Sequence, residues 1–202
     1  MAVQFTFYNM AQLISALTPV LIAFFLLMLT CMNQNFKGLI FIAGAILALF
    51  FNIPIMNTIQ SKSSPDASAA CSLIDIPILS AYNSPSNSSL FIAFTIAYLC
   101  IPMTYSNQIN YPVVISLLCL FAVDAITRVS NNCTTMSGSF LGALIGFTLG
   151  SLWFGILQTT GAGGLLYFNE MDSNSIRCER PTKQKFKCSV FKNGVLLSSN
   201  IA

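Results

Sequence analysis

The sequence predicts an all-α integral membrane protein with about five transmembrane helices and a small, basic C-terminal tail that resembles a β-hairpin. The first observation behind this prediction is composition, since 55% of the residues are hydrophobic and only 7% are charged. A soluble domain carries about 25% charged residues, so this chain lacks the groups needed to cover a globule in water. The second is a mean hydropathy of +0.73, and the third is the concentration of charge near the carboxyl end.

Five apolar stretches have nearly the length of a membrane-spanning helix, which is about 20 residues. They run approximately over Gln12 to Met32, Gly38 to Met56, Ser89 to Thr104, Pro112 to Arg128 and Gly138 to Gln158. The third and fourth are short, so a re-entrant pair is the alternative for them. The first lacks the basic start and the short apolar core of a signal peptide and is interpreted as a retained anchor. Asn52 before Pro54 is interpreted as the end of the second helix.

Charge divides the chain into a neutral body and a basic tail. Residues 1–169 carry three basic and three acidic side chains, whereas the remainder carries six basic and three acidic ones, a net charge of +3. We predict a helical transmembrane domain over residues 1–160 and an extramembrane tail over residues 161–202. Five crossings place the two ends of the chain on opposite faces. Because short basic segments stay cytoplasmic, the tail is assigned to the cytoplasm and the amino terminus to the outside or lumen.

The cysteines suggest two pairings. Cys71 and Cys133 fall on the same predicted lumenal face, where oxidising conditions allow a disulfide; chance placement is the alternative. Cys178 and Cys188 lie in the tail, where they either close the hairpin or stay reduced. Two thiols are too few for a structural zinc site, which needs four ligands. We therefore expect neither a metal nor a cofactor.

The fifth span carries a glycine repeat typical of a glycine zipper. Its members recur every four residues and share one helix face: Gly138, Gly142, Gly146 and Gly150. A face without side chains lets another backbone approach closely, which is how helices associate in lipid. The partner is either another span, such as the second with Gly44 and Ala48, or a second copy in a homo-oligomer. We favour a partner within the chain, because five spans must bury their small faces somewhere.

The body has one candidate intramembrane ion pair, Asp124 and Arg128. The two residues lie four apart and therefore share a helix face. Charge inside a membrane is costly and often functional. A proton or ion pathway would need further acids or histidines along a route, so a structural or topology-setting pair is favoured.

The tail is predicted to bind a partner or lipid through six basic residues: Arg177, Arg180, Lys183, Lys185, Lys187 and Lys192. Alternating residues from Lys185 to Phe191, followed by the tight-turn pair Asn193-Gly194, predict a β-hairpin. The cluster would attract anionic lipid headgroups or an acidic protein surface. No aromatic stacking platform accompanies the charge, which argues against nucleic acid.

Two segments carry a resemblance to a known family: Tyr167 to Glu170, and Cys178 to Gly194 with the sequence CERPTKQKFKCSVFKNG. They resemble an uncharacterised family of multi-pass membrane proteins in large double-stranded DNA viruses, the phycodnavirus group and its relatives. The resemblance covers the tail and a similar hydropathy layout. It implies a structural component of the virion inner membrane, derived from host endomembrane, whose tail contacts capsid proteins. No catalytic residue comes with it.

The residue inventory argues against an enzyme. The chain has no His and only six carboxylates, whereas a lipid phosphatase of the phosphatidate-phosphatase type needs a His nucleophile and a His acid. An active enzyme of that class is excluded, but an inactive scaffold of the same type is not. A small-solute or ion carrier or channel would show broken helices with polar groups at mid-membrane. We therefore predict a structural or anchoring role and keep the carrier and the inactive scaffold as alternatives.

Overall fold

The chain forms two compact units, residues 1–170 and 171–202. The structure is a computed structural model that describes residues 6–61, 71, 82–167, 187–192 and 195–201. The first unit contains five helices: α1 Phe7–Met32, α2 Lys37–Ile59, α3 Asn87–Tyr105, α4 Tyr111–Ser130 and α5 Met136–Thr159. All five are long and apolar enough to cross a membrane. This finding confirms the five predicted helices and is what an integral membrane protein requires.

The helices are longer than the sequence predicted, and one interpretation was wrong. α3 and α4 are continuous helices of 19 and 20 residues, about 30 Å each at 1.5 Å per residue. Each is long enough for the membrane span that the sequence predicted. α2 does not end near Asn52 but continues through Pro54 to Ile59. A proline is tolerated inside a membrane helix because neighbouring groups satisfy the backbone atoms that it leaves free.

Side-chain caps fix where the last three helices begin. Ser86 caps α3, Asn110 caps α4 and Thr135 caps α5, each accepting a hydrogen bond from a backbone N–H in the first turn. Such caps satisfy donors that have no partner within the helix. In α4, Pro112 also occupies the first turn, where its missing N–H costs nothing.

The least exposed helix is α3, which packs against α2, α4 and α5. In α3, 72% of the most apolar 18-residue segment is buried, compared with 17–33% of the corresponding segment in each of the other four helices. Phe41 of α2 and Phe91, Phe94 and Tyr98 of α3 form an aromatic cluster here. The rings of Phe41 and Tyr98 lie 5.5 Å apart, and those of Phe94 and Tyr98 are stacked at 6.2 Å. Aromatic side chains therefore fill the region between α2 and α3.

The second unit contains two antiparallel strands, β1 Lys187–Lys192 and β2 Val195–Ile201. Lys187 pairs with Ile201 and Lys192 with Val195, with an irregular register between Val190 and Phe191. The predicted turn residues 193 and 194 lie outside the described residues. A two-stranded ribbon is only marginally stable alone.

Candidate functional site: the polar cluster around Asp124

A polar cluster inside the helical unit is centred on Asp124 of α4, which is fully buried. Its Oδ1 accepts hydrogen bonds from Ser15 Oγ of α1 at 2.8 Å and from Ser88 Oγ of α3 at 3.0 Å. It also pairs with Arg128 Nε at 2.9 Å. The structure thus brings together the predicted ion pair and adds two serines. One carboxylate oxygen joins three helices.

The site lies near one end of the bundle. Asp124 is six residues before the end of α4 at Ser130, about 9 Å along the helix axis. Ser88 is the second residue of α3. A charge at this depth is compensated by its cation and two hydroxyls, which avoids the cost of an unpaired ion in hydrocarbon. Within the described part of the chain, Asp124 Oδ2 has no hydrogen-bond partner.

Asn131, just past α4, extends the cluster towards the start of α1. Its Oδ1 accepts hydrogen bonds from the Tyr8 hydroxyl at 2.9 Å and from Gln12 Nε2. Its Nδ2 donates to the Thr127 carbonyl at 2.7 Å. Hydrogen bonds between helices stabilise helix association in lipid. Asn131 and Asp124 together hold α1 against α4.

A small open crevice lies in this cluster, with room for about one water molecule. It is lined by Gln12, Ser15, Ala16, Thr127, Arg128, Asn131 and Cys133. The Arg128 side chain is 22% exposed and uses only Nε to hold Asp124. In residues 6–61, 71 and 82–167, no partner is found for its two terminal nitrogens. The crevice therefore presents donors that suit an anion.

The predicted lumenal pair forms a disulfide beside the crevice. Cys71 and Cys133 are bonded, with their Cα atoms 5.3 Å apart across a sequence separation of 62. The bond ties the segment after α2 to the turn after α4. The start of α1 also reaches this turn through Tyr8, so these three regions share one end of the bundle. That grouping agrees with five alternating helices.

The glycine face of α5 packs directly on the backbone of α3. A methyl carbon added at Gly142 would lie 2.5 Å from the Ser86 carbonyl oxygen, and one at Gly146 only 2.1 Å from that of Leu90. At Gly150 it would lie 2.8 Å from the Phe94 carbonyl oxygen, and at Gly138 2.9 Å from Ser84 Oγ. The contacted positions 86, 90 and 94 rise in step with the glycines. α3 and α5 are therefore parallel, and the partner of this face lies within the chain.

The sequence suggested the second helix as a partner of this glycine face, and that suggestion was wrong because the face packs on α3. Gly44 of α2 instead faces α5 one turn further on, where an added methyl carbon would lie 2.5 Å from Trp153 Nε1. Ala48 is buried. The spacing of glycines along one helix shows that a face has no side chains, but it does not show which helix packs against that face.

A second polar cluster, which the sequence reasoning missed, lies at the other end of the bundle. The Tyr167 hydroxyl donates to the Leu26 carbonyl at 2.8 Å and lies 3.0 Å from Thr30 Oγ1. Lys37 is buried, and its Nζ donates to the Leu166 carbonyl at 2.9 Å. Burial raises the pKa of Tyr167, and its hydrogen bond with Thr30 partly opposes this shift. The sequence feature that could have indicated this cluster is Lys37, a single lysine immediately before an apolar segment.

Asn52 was also missed as a tertiary contact. It is fully buried, and its Nδ2 donates to Asn87 Oδ1 at 2.7 Å and to the Pro85 carbonyl at 3.3 Å. It therefore attaches α2 to the first residues of α3.

The predicted tail site lies mostly beyond the described part of the chain. Lys187, Lys192 and Cys188 belong to β1, and their side chains are not described. The following residues lie outside the described residues: Arg177, Arg180, Lys183, Lys185 and Cys178. Among the residues that the structure does describe, no group of three or more His, Cys, Asp or Glu side chains is placed to hold a metal.

Comparison of the chain with protein-family models, curated proteins and solved structures gives no match. Its function has to be inferred from its own residues and their arrangement.

Proposed function

We propose that this chain is a structural membrane protein without catalytic activity, which anchors a partner to the bilayer through its basic tail. The resemblance of the tail to a viral membrane protein family suggests the partner, which is the capsid shell of a virion with an inner membrane. The helical unit holds the tail at the membrane surface, and the tail makes the contact.

The observation that carries this proposal is the backbone-to-backbone packing of α5 on α3. Contacts as close as that of Gly146 with the Leu90 carbonyl leave little freedom for the helices to slide. The aromatic cluster of Phe41, Phe94 and Tyr98 fills the adjacent interior. A filled, closely packed bundle suits a support better than a conduit, which needs groups that rearrange.

The distribution of charge supports the role of the tail. Residues 1–169 have no net charge, and all of the excess of +3 lies after them. Each basic residue near an anionic membrane surface contributes about 1 kcal/mol of attraction. An acidic protein surface would draw the same groups, so charge directs the tail towards anionic partners in general.

A charge-reversal experiment tests the proposal. Lys183, Lys185 and Lys187 are changed together to Glu in the full chain, and Lys62, which lies between α2 and α3 in the sequence, is changed to Glu as the control. We expect the triple variant to insert normally but to recover much less capsid protein on co-purification, because attraction becomes repulsion. Equal recovery with the wild-type chain and the triple variant would reject the anchoring role.

A carrier is the second candidate, favoured by the buried Asp124 carboxylate, whose Oδ2 has no hydrogen-bond partner among the described residues. Reconstitution in liposomes separates the two functions. Solute or ion flux that Asp124→Asn abolishes would support the carrier and count against the anchor.

A further inference from the structure

We propose that the crevice between α1 and α4 binds the phosphate group of a phospholipid, with Arg128 as its principal ligand. This site lies in the helical unit and does not depend on the function of the tail. It would recognise a lipid of the leaflet that surrounds the amino-terminal end of the bundle.

Arg128 is held ready for such a ligand. Asp124 Oδ1 binds its Nε at 2.9 Å and fixes the direction of the side chain. Within the described ranges, the two terminal nitrogens have no protein partner. Those nitrogens form one edge of the planar guanidinium, which matches two oxygens of a phosphate. An arginine fixed by a neighbouring carboxylate loses less side-chain entropy on binding.

Two amides lie on the same crevice and supply further donors. Gln12 donates one N–H to Asn131, and Asn131 donates one N–H to the Thr127 carbonyl. Each amide nitrogen carries two hydrogens, so each keeps one donor. The crevice has room for about one water, so one phosphate oxygen would enter while the rest of the headgroup stays at its mouth.

The surroundings favour a lipid over a free phosphate ion. Asp124 balances the charge of Arg128, so the site has little net attraction for a multiply charged ion in solution. The two helices that form the crevice also carry exposed apolar side chains adjacent in sequence to its lining residues, such as Leu13 at 52% and Ile126 at 66% exposure. Acyl chains would contact these surfaces, and that contact is available only to a lipid.

Native mass spectrometry of the full chain in non-ionic detergent tests the site. The protein is titrated in parallel with dioctanoyl phosphatidylcholine, with dioctanoylglycerol and with inorganic phosphate. We expect adducts mainly with the phospholipid. Arg128→Gln should weaken that binding roughly tenfold, the effect of losing charge-assisted hydrogen bonds. Ser116→Ala, which removes an exposed hydroxyl from the other end of α4, is the matched control and should bind as the wild type does.

Three results would overturn the proposal. Equal phospholipid binding by Arg128→Gln and wild type would exclude Arg128 as a ligand. Equal binding of dioctanoylglycerol would show that the phosphate is not recognised. Binding of inorganic phosphate as tight as that of the phospholipid would show an ion site instead of a lipid site.

A second variant keeps the test valid if Arg128→Gln does not fold, which far-UV circular dichroism will reveal. Asn131→Asp keeps the oxygen that accepts from Tyr8 and Gln12 but places a carboxylate in the crevice. We expect a similar loss of phospholipid adducts through repulsion. Unchanged adducts in a folded Asn131→Asp protein would contradict the proposed site.

Discussion

The contact between α3 and α5 makes Gly146 the position where one methyl group should do the most damage. In Gly146→Ala the new carbon would lie 2.1 Å from the Leu90 carbonyl oxygen, whereas ordinary contacts begin at 3.4 Å. The obstructing atom belongs to the backbone of a helix, so no side-chain rotation relieves the clash. α5 must move away from α3 by more than about 1 Å, beyond what a close-packed interior absorbs without loss of contacts.

The expected cost follows from the size of that movement. Overpacking a well-filled interior costs about 1–3 kcal/mol, and a backbone obstacle places this substitution at the upper end. Separation would also stretch the hydrogen bond between Ser89 Oγ and Ser139 Oγ, now 2.7 Å long, in the same interface. We expect a loss of about 3 kcal/mol, which is roughly a 150-fold change in the unfolding equilibrium constant.

Gly155→Ala is the matched control on the same helix, because an added methyl there meets no atom of the described residues within 4 Å. Its expected effect is a slight gain, since alanine favours helix by up to about 1 kcal/mol over glycine. Both variants are unfolded in mixed micelles of increasing sodium dodecyl sulfate content and followed by far-UV circular dichroism. If Gly146→Ala is as stable as Gly155→Ala, the direct contact between the two backbones is refuted.

Three further predictions concern the two ends of the bundle. Replacing Cys133 with Ser should lower the free energy of unfolding by at most about 4 kcal/mol, the loop-closure entropy for a separation of 62; the same micelle titration with and without reductant measures it, and an unchanged midpoint would contradict it. Asp124→Ala should cost about 3–5 kcal/mol because it leaves Arg128 uncompensated, and the Asp124→Ala, Arg128→Ala double variant should lose less than the sum of the two single losses; additive losses would mean that the pair is not coupled. Burial raises the pKa of Tyr167, so the folded state favours the neutral phenol. The resulting contribution to stability is fully present below the ordinary tyrosine pKa of about 10. That contribution is lost as pH rises through the folded-state pKa. Tyr167→Phe should therefore show a smaller decline in stability above pH 10 than the wild type, and identical declines would contradict this.

The sequence was sufficient to predict the five helices because the bilayer imposes its requirement on each segment separately. A segment of about 20 apolar residues has to satisfy its own backbone, and only a helix does so within one segment. The spacing of Asp124 and Arg128 by one turn likewise predicted a contact within a single helix, and the structure has that ion pair.

Contacts between helices were beyond the sequence because no local rule encodes them. Ser15 and Ser88 reach Asp124 across 109 and 36 positions of the chain, and nothing in the sequence around either serine indicates this contact. The glycine repeat predicted a face of α5 without side chains, but it did not identify the partner of that face, which is the backbone of α3. Asn52 misled for the same reason: an Asn shortly before a Pro suggests a helix end, whereas its side chain hydrogen-bonds the Pro85 carbonyl and Asn87 of α3.

The position of α3 shows that the hydropathy of a helix does not indicate how deeply it is buried in the bundle. It has the lowest hydropathy of the five spans, yet it is by far the most buried. Lipid solvates only the outside of a bundle, so a helix that faces protein has no need to be strongly apolar. Its hydroxyls find partners in other helices or in its own backbone: Ser89 in Ser139, and Thr95 in the Phe91 carbonyl. Small residues on α3 also let α5 approach closely. The moderate polarity of α3 is therefore a consequence of its place among the other helices.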